Sequence, residues 1–183
     1  VPTGAVAGVD AGEVLASGWH LVSGEGVDFG QDAVPALPYR SWPGLADPAT
    51  PGADPDEHAA RLARAPGGVS ELTGCGEPPY LGLVPASDGA AAIAACGWLS
   101  PAGGAAETAA VVRSWQDRFG ARLCSLGIDT LVLSVAWPPV TSEHARRVAA
   151  EHLAFCHDLV GLVEFDEYAE ALTGASTWSF WWH

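Results

Sequence analysis

The sequence predicts an α+β fold, an antiparallel sheet with helices packed on one face, behind an irregular N-terminal extension. Three observations predict it. Residues 80–183 alternate strand-like apolar runs with segments whose apolar residues recur at helical spacing. At their centre "ARLCSL" and "TLVLSVA", separated by "GID", make a strand pair with a short turn at Gly127–Asp129. Residues 1–80, by contrast, carry 11 acids against three Arg and are rich in Gly and Pro. The division falls near residue 80: an acidic extension over 1–79 and an α+β domain over 80–183.

In the extension, "GWHLVSG" at 18–24 has the composition of a short strand. "SWPGLADPATPGADPDE" at 41–57 is a loop by every local signal, with Pro-Gly and Asp-Pro pairs and no apolar period. It ends in a helix start over about 54–64: Asp54 caps, Pro55 fits the first turn, and Glu57 stands three residues after the cap. "APGG" stops that helix. In the domain, "YLGLVPA" at 80–86 reads as a buried strand, and Ser87 or Asp88 caps an Ala-rich helix to about Cys96. The next helix, roughly 106–119, aligns Thr108, Val111, Val112, Trp115 and Phe119, and Gly120 ends it. Pro138 and Pro139 break the second strand of the pair. Thr141 or Ser142 opens a helix to about Phe155, Asp166, Glu167 and Glu170 suit a short helix at 166–173, and "STWSFWWH" closes the chain as a strand. Taken together this is the ferredoxin-like order β-α-β-β-α-β with an extra helix.

Charge narrows the partners. The chain has eight Arg, no Lys and 22 acids, a formal net charge of −14. Such a field repels phosphate backbones, so no nucleic-acid partner is expected, while a basic protein is a compatible one. Cys75, Cys96, Cys124 and Cys156 show no CxxC spacing, which argues against a zinc ribbon or a thioredoxin-type motif. The N-terminal stretch lacks the basic and apolar regions of a signal peptide, and "AAAIAACGWL" is half the length of a membrane span. Four free thiols in the cytoplasm and no membrane partner are the expectation. The chain has no Met, so the initiator is expected upstream of Val1.

Within "AEHLAFCHDL" at 150–159, Glu151, His152, Cys156 and His157 offer four metal-binding or proton-transfer groups. On a helical wheel of 142–156, His152 lies near the centre of a broad apolar sector and Cys156 beside it. Glu151 and His144 fall at the edge, and Arg146 and Arg147 face away. Three readings follow. His152 and Cys156 are core-facing filler; or they share a metal with His157, for which no second close-spaced ligand pair exists; or Cys156 and His152 perform nucleophilic chemistry. The inward, non-catalytic reading is the expected one, with no cofactor. In the last strand Trp178, Phe180 and Trp182 share a core face, which puts Trp181 on the other, expected to pack beneath the extension or to form a binding surface. "GEGVDFG" at 24–30 has one residue too many for a nucleotide loop, and Arg113 and Asp117 are an ordinary surface pair.

The runs "VVRSWQDRFGARLCSLGIDTLVLSVAWPP", "AAEHLAFCHD" and "WSFWWH" resemble the bacterial family called domain of unknown function 4253, from about Tyr80 to the end. The resemblance implies a domain identity and no reaction. It departs from the family pattern at His157, where Pro follows the cysteine, and at the terminal His183, where the end is acidic. The matching residues include Trp115, Arg118, Glu151, His152, Cys156, Trp178, Trp181 and Trp182, compatible with a packed signature core or with a pocket where Arg118, Glu151 and His152 meet the tryptophans.

Two functions fit. One is a non-catalytic module that binds a protein or small ligand through Trp115, Arg118, Trp178, Trp181 and Trp182, for instance as a protective partner of a basic toxin. The other is a hydrolase using His152 with Glu151 or Cys156, with or without a metal held by His152, Cys156 and His157.

Overall fold

The computed structural model describes residues 8–23, 37–65, 80–99 and 103–182. Cys75, the 24–30 glycine loop, the "PGG" of the helix stop and His183 lie outside the described residues. In chain order the elements are α1 (Ala11–Val22), α2 (Pro55–Arg64), α3 (Gly89–Cys96), α4 (Ala105–Phe119), β1 (Ala121–Leu126), β2 (Thr130–Val135), α5 (Ser142–Phe155), α6 (Phe165–Leu172) and β3 (Thr177–Trp181). A single 3-10 turn, His157–Leu159, joins α5 to α6.

Of the segment expected as a strand at 18–24, residues 18–22 are instead the end of α1 and Gly24 lies outside the described residues. Asp10 caps it by accepting from the Glu13 N–H at 2.9 Å. Leu15, Gly18, Trp19 and Val22 are its buried residues, a helical and not an alternating period. α1 packs on α5 and α4, and Trp19 meets Tyr39 and Trp42 edge-on or tilted at about 6 Å. Residues from both sides of position 80 thus share one core.

Capping residues set the other helix starts. Asp54 accepts from Asp56 and Glu57 N–H, Asp88 from Ala91 N–H, and Thr141 from His144 N–H. Gly120 takes a left-handed φ of 60° to close α4, and a Cβ there would press on Trp137, Ala136 and Pro55 atoms at 3.0–3.1 Å. Arg113 pairs with Asp88 at 3.3 Å and not with the expected Asp117, which fixes the start of α3 to α4.

The sheet is three-stranded and antiparallel in the order β1-β2-β3. A bulge at Cys124 interrupts the β1–β2 register, and Leu131 and Leu133 sit opposite Phe180 and Trp178. Among the described residues the predicted first strand is missing. Residues 80–86 are irregular and exposed, with Tyr80, Leu81 and Leu83 at least 90% exposed. Their composition favours a strand, but strand formation depends on a pairing neighbour, and none is described. Among the described residues the fold is α+β with three strands, and the ferredoxin-like order is not confirmed.

Helices were expected on one face, yet both faces are covered. On one, α4 and α5 pack against Trp178, Phe180 and Trp182: Trp115 stacks on Phe180 at 5.3 Å, and Phe155 meets Phe180 and Trp182 edge-on. On the other, α2 packs on β1 and β2, and Asp56 pairs with Arg122 at 2.6 Å. Arg122 lies opposite Ser134, a residue out of phase with the core-facing Leu133 and Val135, and Ser134 is fully buried.

Among the described glycines the tightest approach to another element is at Gly18. A Cβ there would collide with the Ala154 carbonyl at the end of α5. Gly18→Ala is expected to cost about 1–3 kcal/mol, lowering Tm by roughly 5 °C; an unchanged Tm would show that α1 rides loosely on α5.

Candidate functional site

The site lies where α4 and α5 meet. α4 presents Trp115 and Arg118 one turn apart, and α5 presents Glu151 and His152 in its last turn, followed by Cys156. Glu151, placed by the wheel at the edge of the apolar sector, has no exposed surface. Its two oxygens accept four hydrogen bonds: from Ala46 N–H (2.6 Å) and Arg118 Nη1 (2.8 Å) at Oε1, and from Trp115 Nε1 (2.7 Å) and Arg118 Nη2 (2.7 Å) at Oε2. Arg118 is itself 9% exposed and also donates to the Ala46 carbonyl and Ser114 Oγ, both at 3.0 Å. The pair is bidentate and both carboxylate oxygens are answered, the condition under which a buried charge pair is tolerated.

His152 and Cys156 point inward, as the wheel indicates, and both are fully buried. The imidazole is walled by Trp178 (4.6 Å between centroids), Phe180 (4.8 Å) and Trp115 (5.3 Å), all edge-on. Its Nδ1 is 2.9 Å from the Tyr168 hydroxyl, and its Nε2 is buried with no hydrogen bond. Burial, reinforced by the neighbouring Arg118 charge, pushes its pKa down to about 3, so the ring is neutral at pH 7. Burial raises the Tyr168 phenol well above its ordinary range. The Cys156 thiol donates to the Trp181 carbonyl at 3.1 Å, and burial pushes its pKa up to about 11. A thiol so held carries almost no thiolate at neutral pH.

His157 does not join them. It turns toward α1, where its Nε2 lies 3.4 Å from the position a Cβ would take on Gly18, and burial lowers its pKa. Among the described residues no three His, Cys, Asp or Glu side chains gather as a metal site. Of the tryptophans, Trp115, Trp178 and Trp182 are core. Trp181 is 43% exposed on the outer face of β3, and its Nε1 donates to Asp129 Oδ2 at 3.2 Å. The described helices of the extension pack on α5 and on the β1–β2 face.

Residues 43–54 complete the site, and sequence reasoning missed them. Arg147, which the wheel turned to solvent, donates to the Pro43 and Leu45 carbonyls at 3.0 and 2.9 Å. Nothing local in "PGLADPATPGAD" marks Ala46 as the partner of a carboxylate 105 residues away. Tyr168 had a weak signal, one turn of α6 from the buried Phe165 and Leu172.

A family model for the domain of unknown function DUF4253 matches residues 80–183, more than half the chain. The chain belongs to that family. No curated protein and no solved structure matches. The DUF4253 region holds Arg118, Glu151, Trp115, His152 and Cys156, whereas Ala46 lies outside it. No helix among the described residues is long and apolar enough to cross a membrane.

The buried imidazole links stability to pH. The folded value of about 3 lies below the ordinary 6.5, so between those values the unfolded chain binds a proton that the folded chain does not. Stability from this residue is therefore complete above pH 6.5 and is lost as pH falls toward 3. Urea unfolding is expected to show a loss of about 3 kcal/mol from pH 7 to pH 4 through this residue, and His152→Phe removes that part of the slope. Parallel slopes for the two proteins would mean that His152 titrates in the fold as it does in water.

Proposed function

We propose that this DUF4253 protein is a non-catalytic binding module of the cytosol that presents Trp181 to a basic protein partner. The observation that carries the reading is the half-open indole on an edge strand, tethered by its N–H to Asp129. Next to Asp129, Ile128 is 95% exposed in the β1–β2 turn. Apolar surface next to a carboxylate, on a chain of net charge −14, suits a partner that offers Arg or Lys beside apolar groups. A basic toxin held in check by this domain has that chemistry; a nucleic acid does not. The unpaired thiols of Cys96, Cys124 and Cys156 suit a reducing compartment.

The hydrolase reading asks more of the same residues. Glu151 is committed to Arg118, Trp115 and Ala46, His152 is sealed and neutral, and the Cys156 proton is held by burial. A nucleophile or base must reach a substrate, and here each would first have to leave the core.

The test is a titration of the full chain with a fluorescent short peptide alternating Arg and Leu, read by anisotropy. Trp181→Ala is expected to weaken binding by about tenfold or more with Tm preserved, and added salt to weaken it further. Equal affinity of the two proteins would remove Trp181 as the contact surface.

A further inference from the structure

The polar groups that line the junction of α4 and α5 share a target that the Trp181 surface does not explain. Seven hydrogen bonds leave the DUF4253 region for residues 43–53, and every one ends on main chain. Glu151 Oε1 accepts the Ala46 N–H at 2.6 Å while Arg118 Nη1 donates to the Ala46 carbonyl at 3.0 Å. The Arg118 carbonyl accepts the Ala49 N–H at 2.9 Å. Arg147 donates to the Pro43 and Leu45 carbonyls, His144 Nε2 to the Asp47 carbonyl at 2.8 Å, and Trp137 Nε1 to the Ala53 carbonyl at 2.8 Å. At Ala46 the carboxylate and guanidinium answer one residue's N–H and C=O together, as the edge of a neighbouring strand would. Contacts of this kind hold an extended chain without regard to its side chains.

What selectivity exists is steric. Ala46 and Ala49 are buried, at 2% and 9% exposure, while Asp47, Pro48, Thr50 and Pro51 are exposed. The two stand three residues apart, one turn of a polyproline II chain. The N–H groups used are those of Ala46 and Ala49, and Pro48 and Pro51, which have none to offer, stand between and after them. The donors and acceptors on the domain side all lie within 80–183, the region that defines the family, and the segment they hold lies outside it.

We infer that the groove between α4 and α5 is a binding site for an extended peptide with small residues three apart and proline between them, and that residues 43–54 are its tethered occupant. The ligand is such a segment of another protein, which competes with the tethered one. Displacement exposes Arg118 and Glu151 to water as a hydrated pair and does not strand either charge in the core.

Two measurements on the full chain decide it. In native-state hydrogen exchange, the Ala46 and Ala49 amides are expected to exchange about tenfold or more faster than core amides such as Leu133, through a local opening. Exchange of all three in step would show that the segment is an inseparable part of the core and would overturn the inference. Second, a fluorescent peptide of residues 42–54 is titrated against the unaltered chain and against Ala46→Pro, which removes the N–H that Glu151 accepts. The variant is expected to bind the peptide at least about tenfold more tightly, and the same peptide with proline at position 46 to bind neither protein. A folded variant that does not take up the peptide overturns the inference. Should Ala46→Pro fail to fold, the exchange measurement decides alone.

Discussion

Glu151 is a carboxylate with no exposed surface, and a charge in that position is tolerated only when each of its oxygens is answered. Arg118 answers both, Trp115 one and the Ala46 N–H the other. Three separate parts of the chain are fixed by that requirement: α4, which carries the arginine and the indole; α5, which carries the acid; and the extended segment at 43–54. The indole cannot turn once its N–H is taken, and its ring then sets the aromatic layer, stacked on Phe180 and edge-on to Trp178, Phe155 and His152. One buried ion pair thereby connects the helix layer, the sheet and the extension.

The same arrangement sets the state of the groups beside it. A histidine beside a glutamate, one turn from a cysteine, has the elements of proton-transfer chemistry, but the pair consumes the glutamate. The arginine charge and the surrounding rings keep the imidazole neutral. The cysteine closes the other end of the site by donating to the Trp181 carbonyl, which anchors the backbone of β3 while the Trp181 ring stays partly open. Inward polarity holds the fold here. What faces outward is an aromatic surface beside a carboxylate, on a strongly acidic chain.

Much of this was legible where a local rule sufficed. Asp54 with Pro55, Thr141, and Gly120 after Phe119 set helix ends through contacts within a few residues. The hairpin at Gly127–Asp129 and the core face of Trp178, Phe180 and Trp182 follow from turn chemistry and a period of two. His152 and Cys156 were placed inward by helical period alone. What failed depended on distant partners. Glu151 falls only at the edge of the wheel's apolar sector until Arg118, 33 residues earlier in the chain, is set beside it. Residues 18–22 look strand-like until the window reaches back to Asp10 and Leu15. "YLGLVPA" has the composition of a strand but no described partner, and Arg113 chose Asp88 on another helix over Asp117 on its own. Ala46 and Ala49 carry no sequence signal, because their role rests on main-chain groups that every residue has.

The central claim is that Arg118 and Glu151 act as one unit whose members are each harmful alone. A double-mutant cycle with Arg118→Met and Glu151→Leu, read by urea unfolding at pH 7, tests it most directly. Each single change strands the other charge in the core and is expected to cost about 3–5 kcal/mol. The double variant should cost less than either single one, giving a coupling of at least about 2 kcal/mol. Additive losses would contradict the account, since they would mean that the two side chains stabilise the fold independently.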